Sequence, residues 1–274
     1  MPPVVAARHY TDPACPFAFS AEPRLRRLEW LYGDGLRWET VLVVLSEDPA
    51  EYEAKGFTPE KLAGGLRKLQ ETHGMPIDWR PRSRIAVSVD ACRDVKAAQL
   101  RAPDRAELLL RHLRTLNMGW GLLDDPALRA EAARLAGIDP GELTADAEVE
   151  AALAEDKRAS RSPSPAARAL DHKLGGPAGE RRYTCPSLEL DALALPGFQP
   201  SEAYEAAVAN LAPELPRRPD PEDVGAVLAW APFPLATAEV AAVRNGSIED
   251  ARVELAGSGA RFSPAGADGY WSAA

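Results

Sequence analysis

The sequence predicts an α/β protein. Its small sheet is interrupted in the chain by a long all-helical insertion and followed by a helical tail that ends in a hairpin. Three observations predict this. The first 45 residues read strand, helix, strand. No convincing strand occurs from about residue 58 to 182. Strand-like sequence then returns as YTCPSLEL at 183–190.

Residues 3–11, PVVAARHYT, form the first strand, rich in β-branched and aromatic side chains. In residues 16–32, Phe19, Pro23, Leu25, Leu28, Leu31 and Tyr32 recur at helical spacing, with Arg24, Arg26, Arg27 and Glu29 largely outside that apolar side. Gly33 and Gly35 close the helix. The second strand is 36–45, LRWETVLVVL; its continuously apolar second half suits a strand covered on both faces. Two parallel neighbours joined by one helix require a right-handed crossover.

Thr58-Pro59-Glu60 then starts a helix, with Thr as cap and Pro in the first turn. Segment 84–100 spaces Val89, Cys92, Val95 and Lys96 by three and four residues. Segment 104–118 carries Leu108, Leu109, Leu113 and Leu116, 125–136 opens on Asp125-Pro126, and 146–158 is acidic and Ala-rich. RSPSP at 161–165 and LGGPAGE at 174–180 punctuate the end of the insertion. After 183–190 come a short strand at 192–195, the turn PGFQP, and a helix over 201–211. PRRPDPED links to a tail with helices at 221–229, 236–243 and 247–256 and a terminal hairpin in RFSPAGADGYWS, an order similar to a winged helix. The expected units are therefore 1–57 with 176–215, an insertion over 58–175, and an extension over 216–274.

Composition limits the function. The net charge of −9 lacks the concentrated basic surface that phosphate binding needs, so no nucleic-acid partner is expected. The tail from residue 220 holds three basic and eight acidic residues, and a recognition helix there would be repelled by DNA. It is read as a packing element or a homodimer contact. No apolar run reaches the roughly 18 residues of a membrane span, and no charged n-region precedes an apolar stretch, so the expectation is no membrane partner and a cytoplasmic location, where thiols stay reduced. Cys15, Cys92 and Cys185 are too scattered for a disulfide framework and lack zinc-site spacing, and His73, His112 and His172 show no ligand spacing, so no metal is expected.

The chemistry concentrates in TDPACPFAF, residues 11–19. Cys15 stands just before the first helix, where unpaired amides and the helix dipole favour thiolate over thiol. Pro16 suits the first helical position. A thiolate there can attack a disulfide or another electrophile. The competing reading is a small buried residue without chemistry. Ala18 holds the place where many redox sites carry a second cysteine.

HYTDPACPFAFSAEPRLRRL, then a strand, a helical insertion and YTCPSLEL resembles the DsbA-like branch of the thioredoxin fold, most of all its cytoplasmic dithiol-disulfide isomerase-like (FrnE-like) members. Asp12, Pro13, Cys15, Pro16 and Phe17 match the family's Asp-Pro-x-Cys-Pro-x-Cys, and Ala18 departs from it. The resemblance implies a thioredoxin-like core over residues 4–212, a cis-proline at Pro186, and a thiol-disulfide oxidoreductase acting through the single nucleophile Cys15. It implies substrate contacts at Pro16, Phe17, Ala18, Thr184 and Pro186. It also implies a disulfide or thiol-conjugated substrate, no tightly bound cofactor, and glutathione or mycothiol as the reducing thiol. Cys185, just before Pro186, would lie near the attacking sulfur. It either resolves an adduct on Cys15 as a second catalytic cysteine, or lines the substrate groove, or is a neutral replacement of a small apolar residue.

Two rival functions remain open. One is a thiol-cofactor-dependent transferase or isomerase like the kappa-class glutathione transferases, which need no second cysteine; the other is a redox-inactive binding module. Cys92 is expected in the core. His9 is expected as a satisfied strand histidine, and Phe17, Phe19, Trp38, Trp79 and Trp120 as core rather than an apolar wall over the site. Arg24, Arg26 and Arg27 are either a solvated helix face or contacts for an anionic thiol.

Overall fold

The computed structural model describes residues 4–274. Strand β1 (Val5–Thr11) runs into helix α1 (Pro16–Tyr32), which returns the chain to strand β2 (Leu36–Leu42). Gly33 caps α1 with φ of 46°, a conformation that favours glycine. β1 and β2 are parallel, Val5 facing Leu36 and Thr11 facing Leu42. Burial along β2 follows its patterning: Arg37 and Glu39 are exposed, whereas Val41 and Leu42 are buried. The strand stops short of residue 45 because Val44 takes φ of 53°, a left-handed conformation that a β-branched residue adopts only under strain.

The insertion contains α2 (Ala50–Ala54), α3 (Pro59–His73), α4 (Val89–Arg101), α5 (Pro103–Met118), α6 (Pro126–Leu135), α7 (Ala147–Ser160) and α8 (Pro165–Arg168). Thr58 Oγ1 accepts from the Lys61 amide, and the Asp125 and Asp146 carboxylates cap α6 and α7. The helix expected from residue 84 begins at Val89. The preceding backbone is held elsewhere: the Val87 amide reaches Asp124 and the Ser88 amide reaches Ser46. The insertion does not stand apart from the sheet. Its core of Val95, Leu109, Leu113 and Leu153 continues into Leu42 and Val44.

The chain re-enters the sheet as β3 (Ser187–Leu190) and β4 (Leu193–Leu195), then forms α9 (Ser201–Leu211). The expected strand from Tyr183 begins four residues late, because the Tyr183 amide donates to Ser160 at the end of α7 and pairing with β1 starts at Tyr10–Ser187. The strand order is β2-β1-β3-β4, with β3 antiparallel to both neighbours. Pro3, where the sequence reading starts the first strand, lies outside the described residues.

The tail comprises α10 (Val224–Trp230), β5 (Leu235–Ala236), α11 (Thr237–Val243), α12 (Ile248–Gly257), β6 (Arg261–Ala265) and β7 (Asp268–Ser272), the strands forming an antiparallel sheet in the order β5-β7-β6. It packs on α1. Val227, Val240, Leu255 and Trp271 share one core with Leu28, Leu31, Val5 and Tyr204.

Charges join these units as well. Arg111 of α5 pairs with Glu22 of α1 and grips Glu239 of α11 through two hydrogen bonds of 2.8 and 2.6 Å. Arg114 bonds Glu22 at 3.0 Å and reaches Thr11 on β1. All these side chains are buried. Arg27, expected on an outward face, is only 2 % exposed; it pairs with Glu205 and Asp220 and donates to the Val243 carbonyl. The outward reading fails at Arg27 because α9 and the tail cover it, whereas Arg24, Arg26 and Glu29 stay part-exposed.

Breaking one partner of a buried charge network strands the others. Arg111→Met is expected to cost about 3–5 kcal/mol in urea unfolding, and adding Glu239→Gln to recover part of it. Additive losses in the double variant would show that the charges do not act together.

Candidate active site

Cys15 is the N-cap residue of α1, with φ of −74° and ψ of 112°. Its Sγ accepts from the Ala18 amide at 3.4 Å. It also lies 3.4 Å from the Cys185 carbonyl, to which the neutral thiol donates. The peptide bond between Cys185 and Pro186 is cis. Two segments 170 positions apart therefore meet at one sulfur.

The proton between the two cysteines has a preferred home. The Cys15 thiol is lowered below its ordinary value by a hydrogen bond from Cys185 and by the amides of Ala18 and Phe17; burial and the Asp12 charge oppose this. Cys185 is pushed well up by burial and by the adjacent Cys15. Cys15 is thus the group poised to be thiolate, and Cys185 keeps its proton.

Asp12 sets the turn. Its carboxylate is fully buried and accepts from the Ala14 amide at 2.7 Å, the Leu45 amide at 2.8 Å and the Ser88 hydroxyl at 2.8 Å. The Cys92 thiol lies 3.6 Å away. Cys92 is buried on α4, and burial together with Asp12 pushes its thiol well up. It is part of the support beneath the site, not plain hydrocarbon packing.

The residues expected to contact substrate divide. Pro16 and Phe17 line a cavity of about 330 Å³ that opens beside Cys15, and Phe17 is 49 % exposed. Ala18 has no exposed surface and does not line it; the expectation of substrate contact is corrected, since Ala18 acts through its backbone amide. Thr184 donates to the Lys173 carbonyl, and Pro186 is buried beside Cys185; neither lines the cavity. Phe19 is core, whereas Trp79 and Trp120 are exposed and hold Arg67 and Arg80 over their rings. Arg24, Arg26 and Arg27 do not line the cavity either. Arg24 lies over Phe198 instead.

The sequence reading missed Tyr52 on α2. It lines the cavity, packs edge-on against Phe57, and is raised to about 12 by burial and the Asp12 charge, so its phenol stays protonated. The available signal was Asp48-Pro49, a helix start like Asp125-Pro126. Among the described residues no group of three His, Cys, Asp or Glu side chains is placed to hold a metal.

A separate, smaller cavity of about 110 Å³ lies between β1, α1 and α5. His9 lines it with Glu22, Arg26, Glu29 and Arg114, and His9 Nε2 has no hydrogen-bond partner. The strand histidine expected to be satisfied thus has no protein partner at Nε2. Burial, then Arg114 and Arg26, push it down to about 3.

A family model described as Thioredoxin matches residues 9–161, more than half of the chain. The chain belongs to the thioredoxin family. Solved structures of similar fold cover a larger share of the chain. A probable DsbA oxidoreductase of Streptomyces coelicolor superposes with a TM-score of 0.53 at 23 % identity, covering 78 % of this chain and 92 % of that one. The cytosolic disulfide reductase DsbM of Pseudomonas aeruginosa gives 0.52 at 16 % identity, covering 76 % and 100 %. The ClpXP adapter protein SpxH of Halalkalibacterium halodurans is 31 % identical over 144 residues, 50 % of this chain and 47 % of its own. The chain thus matches about half the length of that curated relative. No helix among the described residues is long and apolar enough to cross a membrane.

Two measurements follow. His9 titrates near 6.5 when unfolded and about 3 when folded. Its contribution to stability is therefore fully present above pH 6.5 and lost as pH falls towards 3, by at most about 1.4 kcal/mol per pH unit. Urea unfolding of His9→Gln between pH 6.5 and 4.5 is expected to show a shallower acid loss than wild type; parallel curves would exclude His9. Asp12→Asn removes a charge that opposes the Cys15 thiolate, so alkylation is expected to give a lower Cys15 pKa than wild type, alongside a stability loss of about 1–3 kcal/mol from disturbed buried bonds. A raised pKa would contradict the assigned sign.

Proposed function

We propose that this chain is a thiol-disulfide oxidoreductase in which Cys15 attacks and Cys185 resolves. The observation that carries this is the Cys15 sulfur held by the Ala18 amide at the start of α1, across from the Cys185 carbonyl. The Cys15 thiolate attacks one sulfur of the substrate disulfide. A bond forms between Cys15 and that sulfur, the substrate S–S bond breaks, and the other half leaves as a thiolate that takes up a proton. Cys185 then loses its proton and attacks Cys15 Sγ. This releases the second half as a thiol and leaves a Cys15–Cys185 disulfide, so the substrate is reduced and the protein oxidised. Two molecules of an external thiol then reduce the Cys15–Cys185 disulfide and leave joined to each other as a disulfide.

Glutathione or mycothiol fits that last role in a cytoplasmic protein, the location proposed here. The Pseudomonas DsbM, whose fold is similar, is also described with GSH. The placement of Ala18 supports assigning resolution to Cys185. Alanine offers no thiol there, whereas Cys185 is half-buried and its carbonyl lies 3.4 Å from Cys15 Sγ. Backbone at Cys185–Pro186 would align an extended partner by strand-like hydrogen bonds.

Iodoacetamide alkylation of Cys15 across pH tests the proposal in Cys92→Ala and in Cys92→Ala/Cys185→Ala. The expected pKa lies below the free value of about 8.5 in the first and rises in the second. Cys15→Ser should abolish disulfide reduction. Cys185→Ala should trap the mixed disulfide on Cys15, read by intact mass. A Cys15 pKa at the free value, or turnover that survives Cys15→Ser, would refute the mechanism.

A further inference from the structure

The cavity beside Cys15 has a charge that the rest of the protein does not share. In a chain of net charge −9, its lining carries four basic side chains, Lys61, Arg80, Arg82 and Arg84, and no Asp or Glu. Arg80 and Arg84 are each held by an aspartate outside the cavity, Asp78 and Asp124. Lys61 and Arg82 have no carboxylate partner among the described residues. Lys61 Nζ donates to the Gly56 carbonyl at 2.6 Å, and Arg82 donates to the Asn117 carbonyl while its buried Nε has no partner. Most other arginines among the described residues meet a carboxylate directly, whereas Arg82 feels Asp78 only at a distance, so two cations without a direct ion pair in one recess leave room for an anion brought from outside.

The remaining wall is apolar. Phe17 and Phe57 stand 49 % and 40 % exposed there, and Leu62, Leu66, Ile85 and Met118 complete the floor. Exposed aromatic surface beside a reactive sulfur is costly in water unless a partner covers it. At about 330 Å³ the recess has the size of a small-molecule site.

We infer that the site selects small anionic disulfides with an apolar or aromatic body, the body covering Phe17 and Phe57 and the anionic group reaching Arg82 and Lys61. This rests on the proposed attack by Cys15 and adds the class of substrate. The step is the same exchange: the Cys15–sulfur bond forms, the substrate S–S bond breaks, and the leaving thiolate carries away the electron pair.

Three disulfides separate the contributions. They are 5,5′-dithiobis(2-nitrobenzoate), aromatic and anionic; 4,4′-dithiodipyridine, aromatic and neutral; and 3,3′-dithiodipropionate, aliphatic and anionic. The rate of the first adduct on wild-type Cys15 is read by intact mass after acid quench and divided by the rate of 2-mercaptoethanol, which carries no charge besides its thiolate, with the same reagent. Any general activation of the Cys15 thiolate cancels between reagents. The normalised rate for the aromatic anion is expected to exceed each comparator by on the order of ten-fold at low salt. That advantage over the neutral aromatic should shrink in Arg82→Gln, in the exposed-site variant Lys61→Gln, and at high salt. Equal normalised rates, or an advantage untouched by both variants, would overturn the selectivity while leaving Cys15 as the nucleophile. Failure of Cys15 to react with any of the three would overturn the proposed mechanism itself.

Discussion

The buried carboxylate of Asp12 is the constraint on which the site depends. It receives hydrogen bonds from the turn that ends in Cys15, from the strained exit of β2 at Leu45, and from Ser88 at the start of α4. One side chain thereby fixes the first strand, the second strand and the insertion relative to the opening of α1. The arrangement has an electrostatic cost. A negative charge beneath a sulfur that must become negative works against ionisation, and the Cys185 hydrogen bond with the α1 amides has to outweigh it. Asp12 is better understood as a structural pin tolerated by the chemistry than as a base serving it.

The network of Glu22, Arg111, Arg114 and Glu239 acts similarly at longer range. It crosses from α1 to α5 and α11, so helix α1 is fixed by ions on one side and by the shared apolar core on the other. Buried ions are poor sources of net stability compared with hydrocarbon of the same volume. Their geometric demands suit a helix whose first turn must hold a sulfur in place.

The succession of elements, the helical insertion and the position of Cys15 were legible because each rests on local signals: strand-like apolar runs, proline and capping residues, and a cysteine ahead of a helical pattern. What was not legible is non-local. Arg27 looks outward in the periodicity of α1 and is buried only because α9 and the tail close over it. His9 looks like an ordinary strand residue until Arg114, 105 positions later in the sequence, is placed beside it. The cavity was invisible for the same reason: α1, α2, α3 and the segment from Arg80 to Ala86 contribute to it separately. Ala18 was misjudged for another reason. The spacing of a motif tells which residues lie near a sulfur, but not whether they meet solvent.

Placing the two cysteines on different elements changes what oxidation means for the molecule. A pair within one turn closes a ring of a few atoms and leaves the rest of the chain unaware of it. A bond from Cys15 to Cys185 would instead encircle the whole insertion in a covalent loop of 170 residues, which chain-entropy reasoning values at about 5 kcal/mol against unfolding. Electron count and resistance to unfolding would then rise and fall together, so that a spent molecule is also the mechanically tightened one.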